Sequence, residues 1–222
     1  MGRTIELTTA DSAVISAYRA DPAGAPKGGI VVLQEIFGVN RHIRSVADGF
    51  AAAGYLAVAP ALFDRAEPGI ELGYDASSFP KGMGLRQAAS IPESLADIAA
   101  AVRIAAEGGK VGVVGYCWGG LLAFLAAAHV PGIAAAVGYY GGTIAKHLAD
   151  APQAPTILHF GEFDTHIPVT EIDAIRAAFP EMPVYTYPAD HGFNCDERAS
   201  YDKSSADLAL ERTLSFFETH LR

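Results

Sequence analysis

Three residues far apart in the sequence, Cys117, Asp164 and His191, have the types needed for nucleophilic catalysis. A thiol becomes an effective nucleophile when a base takes its proton, and the base works best when a third group fixes its orientation. Cys117 is the central residue of Gly115-Tyr116-Cys117-Trp118-Gly119, and the run Val111-Gly112-Val113-Val114 leads into it. Leu121 to His129 then reads as an apolar helix. A strand that turns into a helix within about two residues holds its central residue at strained φ/ψ, and the flanking glycines supply clearance. The sulfur would stand at a helix N-terminus, where the dipole and free N–H groups favour a thiolate and an oxyanion alike. The chain order nucleophile, acid, histidine is one in which such triads occur. His191 would take the thiol proton and later protonate the leaving alkoxide, while Asp164 would fix the imidazole tautomer. The N–H groups of Trp118 and Ile36 are the expected oxyanion hole.

Each residue has a plainer reading. Cys117 could be an inert buried thiol, since free cysteines are often buried. Asp164 could cap the helix expected to start at Pro168. His166 is a rival base and Asp190 a rival acid, although a neighbour of the histidine seldom reaches its Nδ1. His42, His129 and His220 fall on expected helices, His147 follows a Gly-rich loop, and His159 lies inside a strand. Cys195 reads as an ordinary loop thiol. Glu35 is unusual, because a carboxylate in the oxyanion loop should repel an oxyanion. It could accept the Cys117 proton and keep the thiol neutral at rest, or it could pair with Arg41 or Arg198.

The elements that must position these groups alternate along the chain. Strands are expected at Thr4–Thr8, Ala13–Arg19, Gly29–Gln34, Tyr55–Ala59, Val111–Val114, Gly132–Tyr139, Pro155–Phe160 and Val184–Tyr187. Several are continuous apolar runs, as buried parallel strands are. Helices are expected at His42–Ala53, Pro92–Ala106, Leu121–His129, Pro168–Ala178 and Ser204–His220. The stretch from Ala61 to Ile91 shows no strong periodicity and reads as a long functional or mobile loop. The alternation predicts one domain over residues 1–222: a three-layer α/β/α architecture with a mainly parallel sheet. Every loop singled out above then lies at a C-terminal strand end, where such sheets form their sites.

Composition narrows the function classes. The chain has 222 residues, half of them hydrophobic, enough for one large core. No run of about 20 apolar residues could span a membrane, and Met1 to Glu6 lacks the apolar stretch of a secretory signal. A net charge of −9 argues against nucleic acid or an anionic membrane as partner. Two cysteines in a domain this size read as cytosolic thiols, so a cytoplasmic location is expected.

Gly115-Tyr116-Cys117-Trp118-Gly119-Gly120 does not stand alone. Together with Gln34-Glu35-Ile36-Phe37-Gly38, Gly138-Tyr139-Tyr140-Gly141, Gly161-Glu162-Phe163-Asp164 and Ala189-Asp190-His191-Gly192-Phe193, it resembles dienelactone hydrolase. The resemblance runs from about Ile30 to Phe217. It implies an α/β-hydrolase fold and hydrolysis of an enol-lactone, such as 4-carboxymethylenebut-2-en-4-olide, to maleylacetate. It further implies a Cys117–His191–Asp164 triad, Glu35 as partner of the resting thiol, and Tyr140 near the substrate. Phe37, Phe193, Arg86 and Arg198 are the other candidate substrate contacts. Arginines hold the substrate carboxylate in members acting on chlorocatechol-derived lactones, whereas here His191 is followed by Gly192-Phe193-Asn194-Cys195 and no arginine precedes Arg198. No metal or cofactor is implied; the expected partner is a small lactone or ester, and the expected state a monomer or weak dimer. The competing class is a non-hydrolytic thiol protein that senses oxidants or binds a ligand, which would not require the acid–base pair. A cysteine peptidase fits less well, because the motifs suit a compact site.

Overall fold

The strand-forming runs assemble into one eight-stranded sheet in a computed structural model that describes residues 2–222. The sequence reading of the chain's start includes Met1, which lies outside the described residues. The strands are β1 (Arg3–Thr8), β2 (Val14–Ala20), β3 (Gly29–Leu33), β4 (Leu56–Pro60), β5 (Val111–Tyr116), β6 (Ile133–Tyr139), β7 (Thr156–Gly161) and β8 (Val184–Tyr187). Their spatial order is β1-β2-β4-β3-β5-β6-β7-β8. β1 and β2 form an antiparallel hairpin, β2 runs antiparallel to β4, and β3 to β8 are mutually parallel. β3, β4 and β5 are buried along their whole length, as continuous apolar runs covered on both faces must be.

The helices are α1 (Arg41–Ala52), α2 (Ser78–Ala88), α3 (Ile91–Ala105), α4 (Trp118–His129), α5 (Val169–Ala178) and α6 (Lys203–Leu221). α3 and α4 pack on each other and on β3 to β6, while α1 and α6 contact the sheet from β2 to β6. Phe217 of α6 lies against Phe50 of α1, and a Cβ on Gly112 of β5 would come within 2.6 Å of the Phe217 ring. The helix starts have local causes. Asn40 caps α1 by accepting from the Ile43 N–H at 3.2 Å. Ser90 caps α3 by accepting from the Glu93 N–H at 3.3 Å, and its hydroxyl donates to the Glu93 carboxylate at 2.6 Å. Among the described residues, no helix is long and apolar enough to cross a membrane.

The segment from 61 to 91 departs from its sequence reading, because α2 lies within it. Pro80, Gly82 and Gly84 erase any amphipathic pattern, so the period signal that identifies a helix is absent. Asp75 starts the helix by accepting from the Ser77 and Ser78 N–H groups at 2.9 and 3.0 Å. Pro80 sits in the first turn, where no intrahelical bond is lost.

This segment is also tied to the core through a charge network. Arg65 donates from Nε and Nη2 to the fully buried Asp97 of α3, at 2.9 and 2.7 Å, and from Nη1 to Asp11 of the first hairpin at 2.7 Å. Burial raises the Asp97 pKa even with Arg65 beside it. Removing the cation would leave Asp97 uncompensated. Arg65→Met is therefore expected to destabilise the fold by about 3–5 kcal/mol. For a chain of this size that lowers Tm by about 6–20 °C. Thermal unfolding checks it, and adding Asp97→Leu should restore most of the loss. A single-variant shift below about 2 °C would show that the network contributes little.

Candidate active site

Cys117 joins β5 to α4 with φ 55° and ψ −115°, a left-handed conformation for a residue with a side chain. Such backbone costs about 1–3 kcal/mol and persists only where its surroundings impose it. Here they do. The Cys117 N–H donates to the Tyr139 carbonyl at 3.0 Å, and its own carbonyl accepts from the Gly120 N–H at 2.9 Å. A Cβ on Gly119 would lie 2.5 Å from the carbonyls of Leu33 and Gln34, so only glycine permits the close crossing of α4 over the end of β3. Cys117 is partly exposed, whereas the first helical residues behind it are buried.

The parallel strand order brings Asp164, after β7, and His191, after β8, to the same sheet edge. His191 Nδ1 lies 2.7 Å from Asp164 Oδ2, and the other carboxylate oxygen accepts from the His166 N–H at 2.8 Å. The Asp164 side chain is fully buried. Burial works against a charge on His191, but the neighbouring Cys117 sulfur and the Asp164 carboxylate outweigh it and raise the imidazole to about 10. The imidazole is therefore protonated at neutral pH. His166 is exposed, with its ring 5.4 Å from that of His191. Asp190 accepts from the His191 backbone N–H at 2.6 Å. Among the described residues, the N–H groups of Ile36 and Trp118 have no hydrogen-bond acceptor. Gln34 ties their loop to the core by accepting from the Leu62 N–H at 3.1 Å, and the Trp118 indole stacks on Phe63.

Glu35 is buried and both its oxygens are engaged. Tyr74 donates its phenol to Oε2 at 2.7 Å, and Arg198 Nη1 donates to Oε1 at 3.2 Å. No hydrogen bond joins Glu35 to Cys117 among the described residues. Of the two partners foreseen for its pairing, Arg198 holds it, while Arg41 pairs with Glu197 at 2.8 Å. Tyr74 had no sequence signal, because it lies in the stretch that lacks periodicity. Its ring meets Phe37 edge-on at 4.7 Å, and Arg198 lies over its face at 5.9 Å.

Tyr140, at φ 38°, has its ring 5.1 Å from His191. Its hydroxyl is buried with no partner, and burial keeps the phenol protonated. An unsatisfied buried donor of this kind costs about 1–3 kcal/mol. Phe193 is fully buried against Tyr139, Tyr140 and Tyr187, so it backs the site wall. Arg86 is half-buried on α2, one turn beyond Gly82, and Gly82 abuts the Ile36 carbonyl. Among the described residues Arg86 has no carboxylate partner.

With this geometry in place, comparison with known proteins gives a consistent result. The model of the dienelactone hydrolase family matches residues 15–221. A carboxymethylenebutenolidase of Pseudomonas putida is 37% identical over 223 residues, covering 96% of this chain and 94% of that protein. A solved structure from Klebsiella pneumoniae subsp. pneumoniae, provisionally classed as a dienelactone hydrolase, superposes with a TM-score of 0.87 at 31% identity. The superposition covers 99% of this chain and all of that one. The dienelactone hydrolase of Anabaena variabilis, at 18% identity and a TM-score of 0.72, shares the fold. The eight-stranded sheet is thus that of an α/β-hydrolase, and the chain belongs to the dienelactone hydrolase family of hydrolytic enzymes.

Proposed function

We propose that the chain opens small lactones or esters through a thioester on Cys117, with an enol-lactone such as 4-carboxymethylenebut-2-en-4-olide as substrate and maleylacetate as product. The observation that carries this reading is the Asp164–His191 pair at 2.7 Å, beside a strained Cys117 and two unpartnered N–H groups. A binding or sensing protein has no need of that set. The alcohol and acid halves of a lactone are one molecule, so ring opening leaves the leaving group tethered near the acid that protonates it.

In the first step the Cys117 sulfur attacks the lactone carbonyl, and the oxygen charge that develops is held by the Ile36 and Trp118 N–H groups. Collapse of the tetrahedral species breaks the ring C–O bond. His191 gives its proton to the leaving enolate oxygen, leaving a thioester and a neutral imidazole. Water then attacks the thioester while His191 takes its proton, and the thiolate leaves to restore the ion pair. Tyr140 donates its free hydroxyl to the substrate. A substrate carboxylate meets Arg86, the half-buried arginine without a partner, and it would compete with Glu35 for Arg198.

The test is hydrolysis of cis- and trans-dienelactone beside p-nitrophenyl acetate, for the wild type and Arg86→Ala. Both lactone and ester should turn over in the wild type. Arg86→Ala should raise KM for the lactone about 10–100-fold, the loss of a charged hydrogen bond of about 1.5–3 kcal/mol, and leave the uncharged ester unaffected. Turnover of p-nitrophenyl acetate alone would remove the dienelactone assignment and keep the thioester chemistry. A sensor would show neither activity.

A further inference from the structure

A second group of ligand-bearing side chains lies where α1 meets the segment after His191, and the proposed chemistry uses none of them. One nitrogen of His42, the Cys195 sulfur and one carboxylate oxygen of Asp196 all lie within 4.8 Å of one another. His42 and Cys195 are buried, and Asp196 is exposed. His42 Nδ1 is 3.1 Å from Asp196 Oδ1. That is close to the spacing of two ligands on a tetrahedral ion with bonds of about 2.0–2.2 Å. A cavity of about 260 Å³ borders His42, Asn194, Asp196 and Tyr201 and gives a route from solvent.

We propose that His42, Cys195 and Asp196 form a binding site for a thiophilic divalent cation of the zinc class. One sulfur, one imidazole nitrogen and one carboxylate oxygen make a mixed donor set. Magnesium and calcium prefer oxygen alone, whereas zinc and cobalt accept all three types. Three protein ligands leave a fourth position for water from the cavity. Cys195 and Asp196 are adjacent in a turn, so closing the cluster to bonding distance needs only a local shift. Two arginines lie nearby in sequence, but Arg41 is neutralised by Glu197 and Arg198 by Glu35. Binding forms a sulfur–metal bond as the Cys195 S–H bond breaks, and its proton leaves to solvent.

The experiment uses the full chain carrying Cys117→Ser, which removes the other thiol. Zn²⁺ is measured by equilibrium dialysis, and Co²⁺ by its thiolate charge-transfer absorption in the near ultraviolet. The expected result is about one Zn²⁺ per chain and a cobalt–thiolate band. Asp196→Asn, an exposed change compatible with the fold, should weaken binding about 10-fold or more, and Cys195→Ser should abolish the band. Three results would overturn the proposal: no binding to the Cys117→Ser chain, a band that survives Cys195→Ser, or affinity unchanged by both substitutions. Metal bound only when Cys117 is present would place it at the first site instead.

Discussion

Cys117→Ala is expected to lower kcat for lactone and ester alike by about 10⁴–10⁶-fold, leaving the residual rate that free N–H groups and substrate binding provide. The size follows from what is lost. The alanine protein keeps Asp164, His191 and the N–H groups of Ile36 and Trp118, but it has no atom to form the acyl intermediate. The variant should also change His191. Burial is the largest single influence on that imidazole and disfavours its charge; the Cys117 sulfur is the largest influence in the other direction. Without the sulfur, the imidazole should fall well below the value of about 10 that it has beside Cys117. Because the folded value exceeds the ordinary 6.5, the stability from this pairing is complete below about 6.5 and is lost as pH rises through 10. Alanine should weaken that dependence, leaving only the contribution of Asp164. Steady-state assays with an imidazole titration by NMR read both effects. Retained turnover would mean another nucleophile, and an unmoved titration would mean that Cys117 carries no charge beside His191.

What the sequence made legible follows from how local each signal is. Buried parallel strands are short apolar runs that need no partner to be recognised, and β3, β4 and β5 lie almost where those runs do. The elbow at Cys117 is equally local, since Gly115 and Gly119 flank a strand-to-helix junction. Chain order then places Asp164 and His191 after successive strands, and parallel pairing of β7 with β8 turns that order into a 2.7 Å contact. Glu35 is different. Its partner Arg198 lies 163 residues away, and no periodicity distinguishes that arginine from Arg41. Only the path of the chain after β8 decides between them. Tyr74 and α2 were illegible for another reason. α2 is held by the Asp75 carboxylate, which accepts from the Ser78 N–H, and by the close approach of Gly82 to the Ile36 carbonyl, and neither leaves a hydrophobic period.

Asp164→Asn should lower kcat about 10³–10⁴-fold, the order seen when the buried acid of a serine-protease triad is made an amide. The two oxygens of Asp164 have separate acceptor duties: one toward His191 Nδ1 and the other toward the His166 N–H. An asparagine has only one oxygen. If that oxygen stays on the His166 N–H, the amide NH₂ faces Nδ1, and the imidazole must carry its proton on Nε2. That tautomer cannot accept a proton from the thiol. If the amide turns over, its NH₂ meets the His166 N–H donor to donor inside a site with no access to water, because the Asp164 side chain is fully buried. Neither arrangement recovers the wild-type geometry. Asp190 provides the control. It is exposed and meets only the His191 backbone N–H, so Asp190→Asn keeps an acceptor in place and should cost less than about 10-fold. Measuring kcat for both variants on p-nitrophenyl acetate separates the two acids without depending on the natural substrate. If the Asp190 variant proved the weaker, the orienting role would pass to Asp190. Equal, small losses would mean that the sulfur needs no oriented base, because its thiolate is already stabilised at the N-terminus of α4.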